Sequence, residues 1–127
     1  MRILLTGATG YFGTNLVSAL AVNGHQLFAF VRKESNTNRI REHASCHLVV
    51  PDFNNLLEIV LNIDPEITTH YASIRGHGPE MIKGIAGTNI EFGVTLLEAF
   101  AASKCRKFIK AGSYWQYAKD DTEKPNT

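Results

Sequence analysis

Thr6-Gly7-Ala8-Thr9-Gly10-Tyr11-Phe12-Gly13 is a glycine-rich stretch near the N-terminus of the chain. It follows the apolar run Ile3-Leu4-Leu5 and begins an apolar-periodic segment, so it lies where a strand changes into a helix. Its glycines permit a tight turn, let backbone N–H groups approach phosphates and let the helix pack closely on the strand. Because a helix N-terminus also carries a partial positive charge, the stretch predicts a binding site for the pyrophosphate of a dinucleotide.

The rest of the chain alternates between strand-like and helix-like segments. Apolar runs predict strands at 2–6, 26–31, 47–50, 66–72 and 107–111. Helical periodicity covers 11–23, 54–62 and 80–103, and the charged residues from Ala118 onward predict a loop. The alternation predicts an α/β fold, a Rossmann-type doubly wound parallel sheet with right-handed crossovers and strand order 3-2-1-4-5. At 127 residues the chain has the length of one domain, so we expect a single NAD(P)-binding domain over 1–127.

Each predicted helix has an apolar stripe, which we expect to face the core. The stripes consist of Phe12, Leu16, Ala19 and Leu20 in the first helix, Leu57 and Leu61 in the second, and Ile82, Ile85, Ala86, Gly93, Leu96, Leu97 and Phe100 in the third.

Composition and charge exclude several classes of protein. The net charge of +1 gives no electrostatic reason to expect a nucleic-acid partner. No apolar run approaches the roughly 20 residues of a membrane span, and the N-terminal apolar run leads into the glycine turn rather than a signal peptide. The two cysteines and five histidines lack metal-ligand spacing, so we expect no metal. We therefore expect a cytoplasmic protein with reduced thiols, and neither nucleic acid nor membrane as a partner.

Arg32 lies at the end of the second predicted strand, where a chain that binds NAD usually carries Asp or Glu for the ribose 2′-hydroxyl. A guanidinium there can grip a 2′-phosphate through two hydrogen bonds, whereas a carboxylate would repel it. The residue therefore favours NADP(H) over NAD(H). The alternative is a solvated basic loop, since Arg39 and Arg41 make the whole segment basic.

Three further polar residues are candidates for the site. Asp52 follows the third strand, where its carboxylate can accept a hydrogen bond from adenine, cap the following helix, or do both. Asn89 falls on the stripe of the long helix, so its amide either holds a backbone carbonyl or water near the site or is a satisfied core amide. Ser113 follows the fifth strand, where it can hydrogen-bond a substrate carbonyl or serve as an ordinary turn residue.

Three segments resemble, in the right order, the N-terminal part of the extended short-chain dehydrogenases/reductases, the NAD-dependent epimerases, dehydratases and reductases of nucleotide sugars. The glycine turn, residues 6–13, matches the cofactor signature of that family. Gly87-Thr88-Asn89 followed by Leu96-Leu97-Glu98-Ala99 resembles its central helix, and residues 107–113 with Tyr117 resemble the strand that delivers its catalytic Ser or Thr. The resemblance covers the whole chain.

The resemblance implies hydride transfer at a sugar carbon, with Asn89 and Ser113 as catalytic residues. A narrower similarity to CDP-paratose and CDP-abequose synthases rests on Arg32-Lys33, His77-Gly78-Pro79-Glu80 and Gly112-Ser113, and implies reduction of a C4 keto group. A nucleotide sugar is the expected substrate and a homodimer an expected assembly. The candidate cofactor-binding residues are Gly7, Ala8, Thr9, Gly10, Tyr11, Phe12, Gly13, Arg32, Asp52, Phe53, Tyr71 and Ala72.

The chain departs from the family pattern in several places. None of its four tyrosines is followed by Lys at the fourth position, so the family's Tyr-x-x-x-Lys acid–base pair, which lies downstream of the serine strand, is missing. Gly112 stands where Ser or Ala is usual, and Ala118 where Gly is common. We therefore expect the N-terminal part of a longer architecture, inactive by itself. The alternatives are a non-catalytic NAD(P)H sensor and an interaction partner that associates through its exposed fifth strand.

Overall fold

The computed structural model describes residues 1–74, 78–112, 117–118 and 121–125. The strands are β1 (Arg2–Thr6), β2 (Gln26–Phe30), β3 (Cys46–Val49), β4 (Ile67–His70), β5 (Lys107–Lys110), β6 (Tyr117–Ala118) and β7 (Asp121–Pro125). The α-helices are α1 (Tyr11–Val22), α2 (Asn38–Arg41), α3 (Leu56–Ile63), α4 (Ile82–Ala86) and α5 (Phe92–Ala101). Short 3₁₀ turns cover Phe53–Asn55 and Pro79–Met81. Within these ranges no helix combines the length and the apolar character that crossing a membrane requires.

Strands β1 to β5 form one parallel sheet in the order β3-β2-β1-β4-β5, which confirms the predicted fold and strand order. Thr6, the last residue of β1, is in register with Phe30 of β2 and with His70 of β4. Because the strands are parallel, their carboxyl ends share one edge of the sheet, where ligands bind in open α/β folds.

The C-terminal tail differs from its predicted loop. Strands β6 and β7 form a separate antiparallel pair, in which Tyr117 is opposite Pro125. Charged residues such as Asp121 and Lys124 have low β-propensity, and for this reason the sequence pattern did not predict β7.

Helices cover both faces of the parallel sheet and produce two cores. On one face the core contains Leu4, Phe30, Leu56, Val60, Ile63, Phe92, Leu96, Ala99 and Phe100. On the other it contains Ile3, Leu5, Ala8, Val17, Leu27, Ala29, Val31 and Ile40. Successive residues of β1 therefore belong to opposite cores, as expected of a strand buried on both faces.

The predicted apolar faces of the first two helices were partly wrong. In α1 the side chains of Phe12 and Ala19 are exposed, and Val17 is buried instead. In α3, Leu57 and Leu61 are exposed while Leu56 and Val60 are buried. Helix α3 is apolar on nearly every side, so periodicity could not select the buried face, and packing against the sheet selected it.

The predicted long helix is present but is interrupted by a π-helical segment, Gly87–Glu91, between α4 and α5. A π turn adds a residue, which puts the faces before and after it out of phase by about 100°. Consequently, the predicted stripe is broken: Ile82 and Leu97 are exposed, whereas Phe92 is buried along with Leu96 and Phe100.

Candidate functional site

The turn between β1 and α1 requires glycine at Gly7 and at Gly13, for different reasons. Gly7 has a φ of 73°, and a Cβ there would lie 2.7 Å from the backbone nitrogen of Ala72. A Cβ at Gly13 would lie 2.7 Å from the Cα of Ala8, which brings α1 directly against the end of the strand. Gly10 is the N-cap of α1, and its N–H donates to the carbonyl of Gly7 at 3.1 Å.

A cavity of about 950 Å³ opens beside this turn, at the carboxyl edge of the sheet. Its size is in the range of cofactor sites, which are commonly a few hundred to about 1,000 Å³. The cavity brings together most of the predicted cofactor-binding residues, namely Gly7, Thr9, Gly10, Tyr11, Phe12, Gly13, Arg32, Phe53, Tyr71 and Ala72.

Two of the predicted cofactor-binding residues do not line this cavity. Ala8 is fully buried in the core under the turn. Asp52 caps the helical segment that follows it, because its Oδ1 accepts from the N–H of Asn54 at 3.0 Å. Its Oδ2 accepts from the side-chain amide of Asn55 at 3.3 Å. The capping alternative for Asp52 is therefore the one that the geometry shows.

Asn89 lies in the π segment and acts on the cavity through a neighbouring loop. Its Oδ1 accepts from the N–H of Ile74 at 2.7 Å, and its Nδ2 donates to the carbonyl of the same residue at 2.8 Å. Ile74 lines the cavity. The side chain of Asn89 therefore bonds to both the N–H and the carbonyl of Ile74 and fixes this residue of the cavity wall. Ser113, the other predicted catalytic residue, lies outside the residues that the structure describes.

Arg32 lies at the rim of the cavity and pairs with a carboxylate. Its Nε is 3.4 Å from Oε1 of Glu34, and both side chains are at least 70% exposed. The chain turns back at this point, since the N–H of Ser35 donates to the carbonyl of Arg32 at 3.1 Å. An exposed ion pair is worth about 1 kcal/mol or less, so the guanidinium can exchange Glu34 for a ligand phosphate at little cost.

Sequence reasoning missed the apolar and aromatic walls of the cavity. It named Phe12, Tyr71 and Phe53 but not their pairing. The rings of Phe12 and Tyr71 are tilted with centroids 4.8 Å apart, and Phe53 meets Phe92 edge-on at 5.3 Å. The lining residues that were not predicted as site residues are Thr6, Phe30, Val31, Ser35, Val50, Pro51, Ser73, Ile74, Thr88, Phe92 and Ala111. Val31 and Ala111 could have been identified because each is the last residue of a predicted strand, whereas Phe92 is brought there by the long helix.

A buried histidine, His70, contacts the first residue of the glycine turn. His70 is 2% exposed, and its Nδ1 shares a hydrogen bond of 2.7 Å with the hydroxyl of Thr6. The same hydroxyl accepts from the N–H of Ala72 at 3.1 Å. Burial lowers the pKa of His70, and the positive charge of Lys110 lowers it further. The ring is therefore neutral at pH 7.

The described residues hold no group suited to a metal ion, since nowhere among them do three His, Cys, Asp or Glu side chains come together. A glycine turn that begins a helix at the carboxyl edge of a parallel sheet, beside an open cavity, defines the class of dinucleotide-binding Rossmann domains. Residues 3–127 match the model of the NAD dependent epimerase/dehydratase family, and the chain belongs to that family. This confirms the family that the three sequence segments predicted.

Individual relatives show the same relationship. The chain is 26% identical over 123 residues to a CDP-abequose synthase of Yersinia pseudotuberculosis, covering 93% of this chain and 41% of that protein. It is 32% identical over 116 residues to a 3-diazoavenalumate denitrifying reductase of a Streptomyces species, covering 86% of this chain and 36% of that protein. The chain thus spans less than half the length of these curated relatives.

Solved structures agree with the sequence comparison. UDP-glucuronic acid 4-epimerase from Bacillus cereus, in complex with UDP-glucuronic acid and NAD, is similar with a TM-score of 0.74 at 27% identity. The similarity covers 94% of this chain and 42% of that one. An epimerase of Methanothermobacter thermautotrophicus has a TM-score of 0.80 at 21% identity, a likeness of fold.

Proposed function

We propose that this chain is the NADP(H)-binding part of a nucleotide-sugar oxidoreductase or epimerase, in which hydride moves to or from a sugar carbon. In its narrower form the proposal is reduction of a C4 keto group. The observation that carries it is the cavity of about 950 Å³ against the glycine turn. Further support comes from similar proteins, which include a CDP-abequose synthase and a 4-epimerase in complex with NAD.

The glycine turn fits the pyrophosphate of a dinucleotide. Gly10 is the N-cap of α1. Because glycine has no side chain, it leaves the backbone N–H groups of the first helical turn without a side-chain cap. A Cβ built on Gly10 would meet Gly7 O at 3.4 Å, an ordinary contact distance, so the fold itself tolerates a methyl group there. The space beside Gly10 is therefore part of the cavity, and a methyl group would occupy room that a phosphate needs.

The remaining walls suit the two ends of such a ligand. A nicotinamide dinucleotide supplies a carbon that donates or accepts hydride when it is bound. Val31, Val50 and Phe53 provide an apolar wall suited to a flat adenine ring. Residues 71–74, which we name the β4 wall, would orient the other end, with Asn89 holding Ile74 in place. We propose, from the family resemblance, that Ser113 polarises the carbonyl of the sugar.

Gly10→Ala tests this site directly. We expect the variant to fold as the wild type does and to lose at least about tenfold in affinity for NADPH, because the added methyl group fills the phosphate cradle. Gly84→Ala is the matched control, since a Cβ there meets nothing within 4 Å. Isothermal titration calorimetry measures the affinity. Equal dissociation constants for wild type and Gly10→Ala would remove the glycine turn from the site.

Arg32 carries the proposed preference for NADP(H). We expect NADPH to bind more tightly than NADH, and Arg32→Asp to reverse the order, because a carboxylate repels the 2′-phosphate and accepts from the 2′-hydroxyl. Arg41→Asp makes the same change of charge at an exposed residue that does not line the cavity, and should leave the order unchanged. If the wild type binds both cofactors equally, Arg32 has no such role.

We also propose that this chain shows no reductase turnover by itself, because its sequence contains no Tyr-x-x-x-Lys pair. The test follows NADPH oxidation in the presence of a 4-keto nucleotide sugar. Turnover that disappears in Ser113→Ala would overturn the proposal. The sensor alternative requires that the coding sequence beyond codon 127 also lacks the pair, and reading that sequence separates the two functions.

The proposal extends to assembly and location. Ile90, Val94 and Leu97 form an exposed apolar stripe on the long helix, which suits a homodimer. Light scattering that gives a monomer at high concentration would overturn the dimer. Cys46 and Cys105 are free thiols, which supports a reducing, cytoplasmic location. Fractionation of cells that express the chain would show it in the cytoplasmic fraction, and recovery elsewhere would refute this.

A further inference from the structure

We propose that His70 is a positioning residue for the cofactor cavity: it accepts a hydrogen bond from Thr6 and so holds the end of β4 against the glycine turn. The inference rests on the proposed function, because the property that it explains is affinity for a dinucleotide. This histidine is not among the predicted site residues, and its ring does not line the cavity.

The groups around the Thr6 hydroxyl indicate which partner is the donor in the hydrogen bond between Thr6 and His70. A hydroxyl has one proton and two lone pairs. Among the described residues its partners are His70 Nδ1 and the N–H of Ala72, and the N–H can only donate. If Thr6 donates its proton to His70 Nδ1, both contacts are satisfied. If Nδ1 carried the proton instead, two donors would face Thr6 and its own proton would need a third partner. The geometry therefore favours a neutral ring with its proton on Nε2.

This small network joins the turn to the β4 wall. The carbonyl of Thr6 accepts from the N–H of Tyr71 at 3.2 Å, and its hydroxyl accepts from the next N–H, that of Ala72. Gly7 follows Thr6 directly and is so close to the wall that a Cβ would lie 2.7 Å from the carbonyl carbon of Tyr71. A shift in the Thr6 side chain therefore moves the two surfaces that would hold the ligand.

The ring of His70 is itself fixed by the core. It meets Phe92 edge-on with centroids 5.7 Å apart, and lies 6.2 Å from the ring of Phe108. Its Nε2 lies 3.2 Å from the place where a Cβ on Gly93 would be. The histidine thus connects helix α5 to the last residue of β1, and it can transmit the rigidity of the core to the turn.

Two pairs of variants test the positioning role. His70→Leu and Thr6→Val remove the hydrogen bond while keeping apolar volume, and we expect each to weaken NADPH binding about tenfold. His70→Asn keeps an acceptor near the position of Nδ1, and Thr6→Ser keeps the hydroxyl, so both should bind within about threefold of the wild type. The double variant His70→Leu/Thr6→Val should bind no more weakly than either single variant, because the two act through one contact.

Phe108→Leu separates positioning from general destabilisation. Phe108 packs beside the histidine ring and does not line the cavity. This variant should therefore lower stability and leave the dissociation constant unchanged when measured well below its unfolding temperature. Hydrogen exchange of the Ala72 amide should quicken in Thr6→Val and His70→Leu but not in Phe108→Leu. Nitrogen-15 chemical shifts of the ring should report a proton on Nε2.

The outcomes distinguish this inference from the function on which it rests. If the wild type does not bind NADPH or NADH, the proposed function fails and the inference falls with it. If the wild type binds and His70→Leu binds equally well, the positioning role alone is overturned. A proton on Nδ1, or unchanged Ala72 exchange in Thr6→Val, would overturn it as well.

Discussion

The two sides of the cavity are built in different ways. The backbone hydrogen bonds that close the glycine turn join residues close in sequence: Gly10 N–H donates to Gly7 O, and Thr14 N–H donates to Gly10 O. The β4 wall lies outside any helix or strand and is held by side chains that are distant in sequence. Thr6 is 66 residues from Ala72, and Asn89 is 15 residues from Ile74. One side is therefore a local backbone structure, and the other is a product of tertiary contacts.

Because they are built differently, the two sides should be sensitive to different kinds of substitution. The turn has little room and needs few side-chain hydrogen bonds, so it should be sensitive to added volume. The wall has polar anchors, so it should be sensitive to the loss of a hydrogen-bonding group. The following three predictions test this difference.

Gly13→Ala should have the largest effect. A Cβ at Gly13 would lie 2.7 Å from the Cα of Ala8 and even closer to the carbonyl oxygen of Gly7, and both atoms belong to backbone that cannot move aside. We expect a loss of about 3 kcal/mol in the free energy of unfolding, measured by urea denaturation. Gly84→Ala, where a Cβ meets open space inside a helix, should instead gain about 0.5 to 1 kcal/mol. Similar values for the two variants would mean that the turn is not tightly packed.

Asn89→Ala should have the next largest effect and should act on the β4 wall. It leaves the N–H and carbonyl of Ile74 without their partner, at a cost of about 2 kcal/mol in stability. NADPH affinity should also fall about tenfold because the wall loosens. Asn15→Ala is a matched control, since that amide bonds to Tyr11 O at 2.7 Å on an exposed helix surface. A wild-type affinity in Asn89→Ala would show that the wall does not need this anchor.

Acidification should have the smallest effect and should again act on the wall side. Because the pKa of His70 is lower in the folded chain than its ordinary value of 6.5, the unfolded chain binds more protons between the two values. Stability from this group is full above pH 6.5 and declines as the pH falls from there towards the lower, folded-state pKa. Phe92, Gly93 and Phe108 around the ring carry no charge, and Lys110 is the charged group that acts on it.

Unfolding by urea at several values between pH 7 and pH 5 measures this decline. In His70→Asn the part of the decline that comes from this group should disappear. An identical pH dependence in wild type and variant would exclude His70 as its source.

The sequence predicted the local side of the site well. The spacing of Gly7, Gly10 and Gly13 after an apolar run indicated the turn, and the alternation of elements predicted the 3-2-1-4-5 order. It also predicted that Asp52 could cap a helix and that Asn89 could hold a backbone carbonyl, and both contacts are present. The missed parts were the aromatic pairs, such as Phe53 with Phe92, whose members are far apart in sequence.

The family, the parallel sheet and the glycine turn were predictable from the order of the amino acids, because they depend on backbone sterics and on periodicity within short stretches. The buried face of α3, the change of face at the π segment of the long helix and the side chains that anchor the β4 wall became visible in the folded chain alone. Helix periodicity cannot select a buried face where nearly all positions are apolar, and hydrogen bonds between distant residues leave no local pattern. The hydrogen bond between Thr6 and His70 combines a local and a distant contribution. Thr6 belongs to the glycine-rich stretch, and the pairing of β1 with β4 brings His70 beside it.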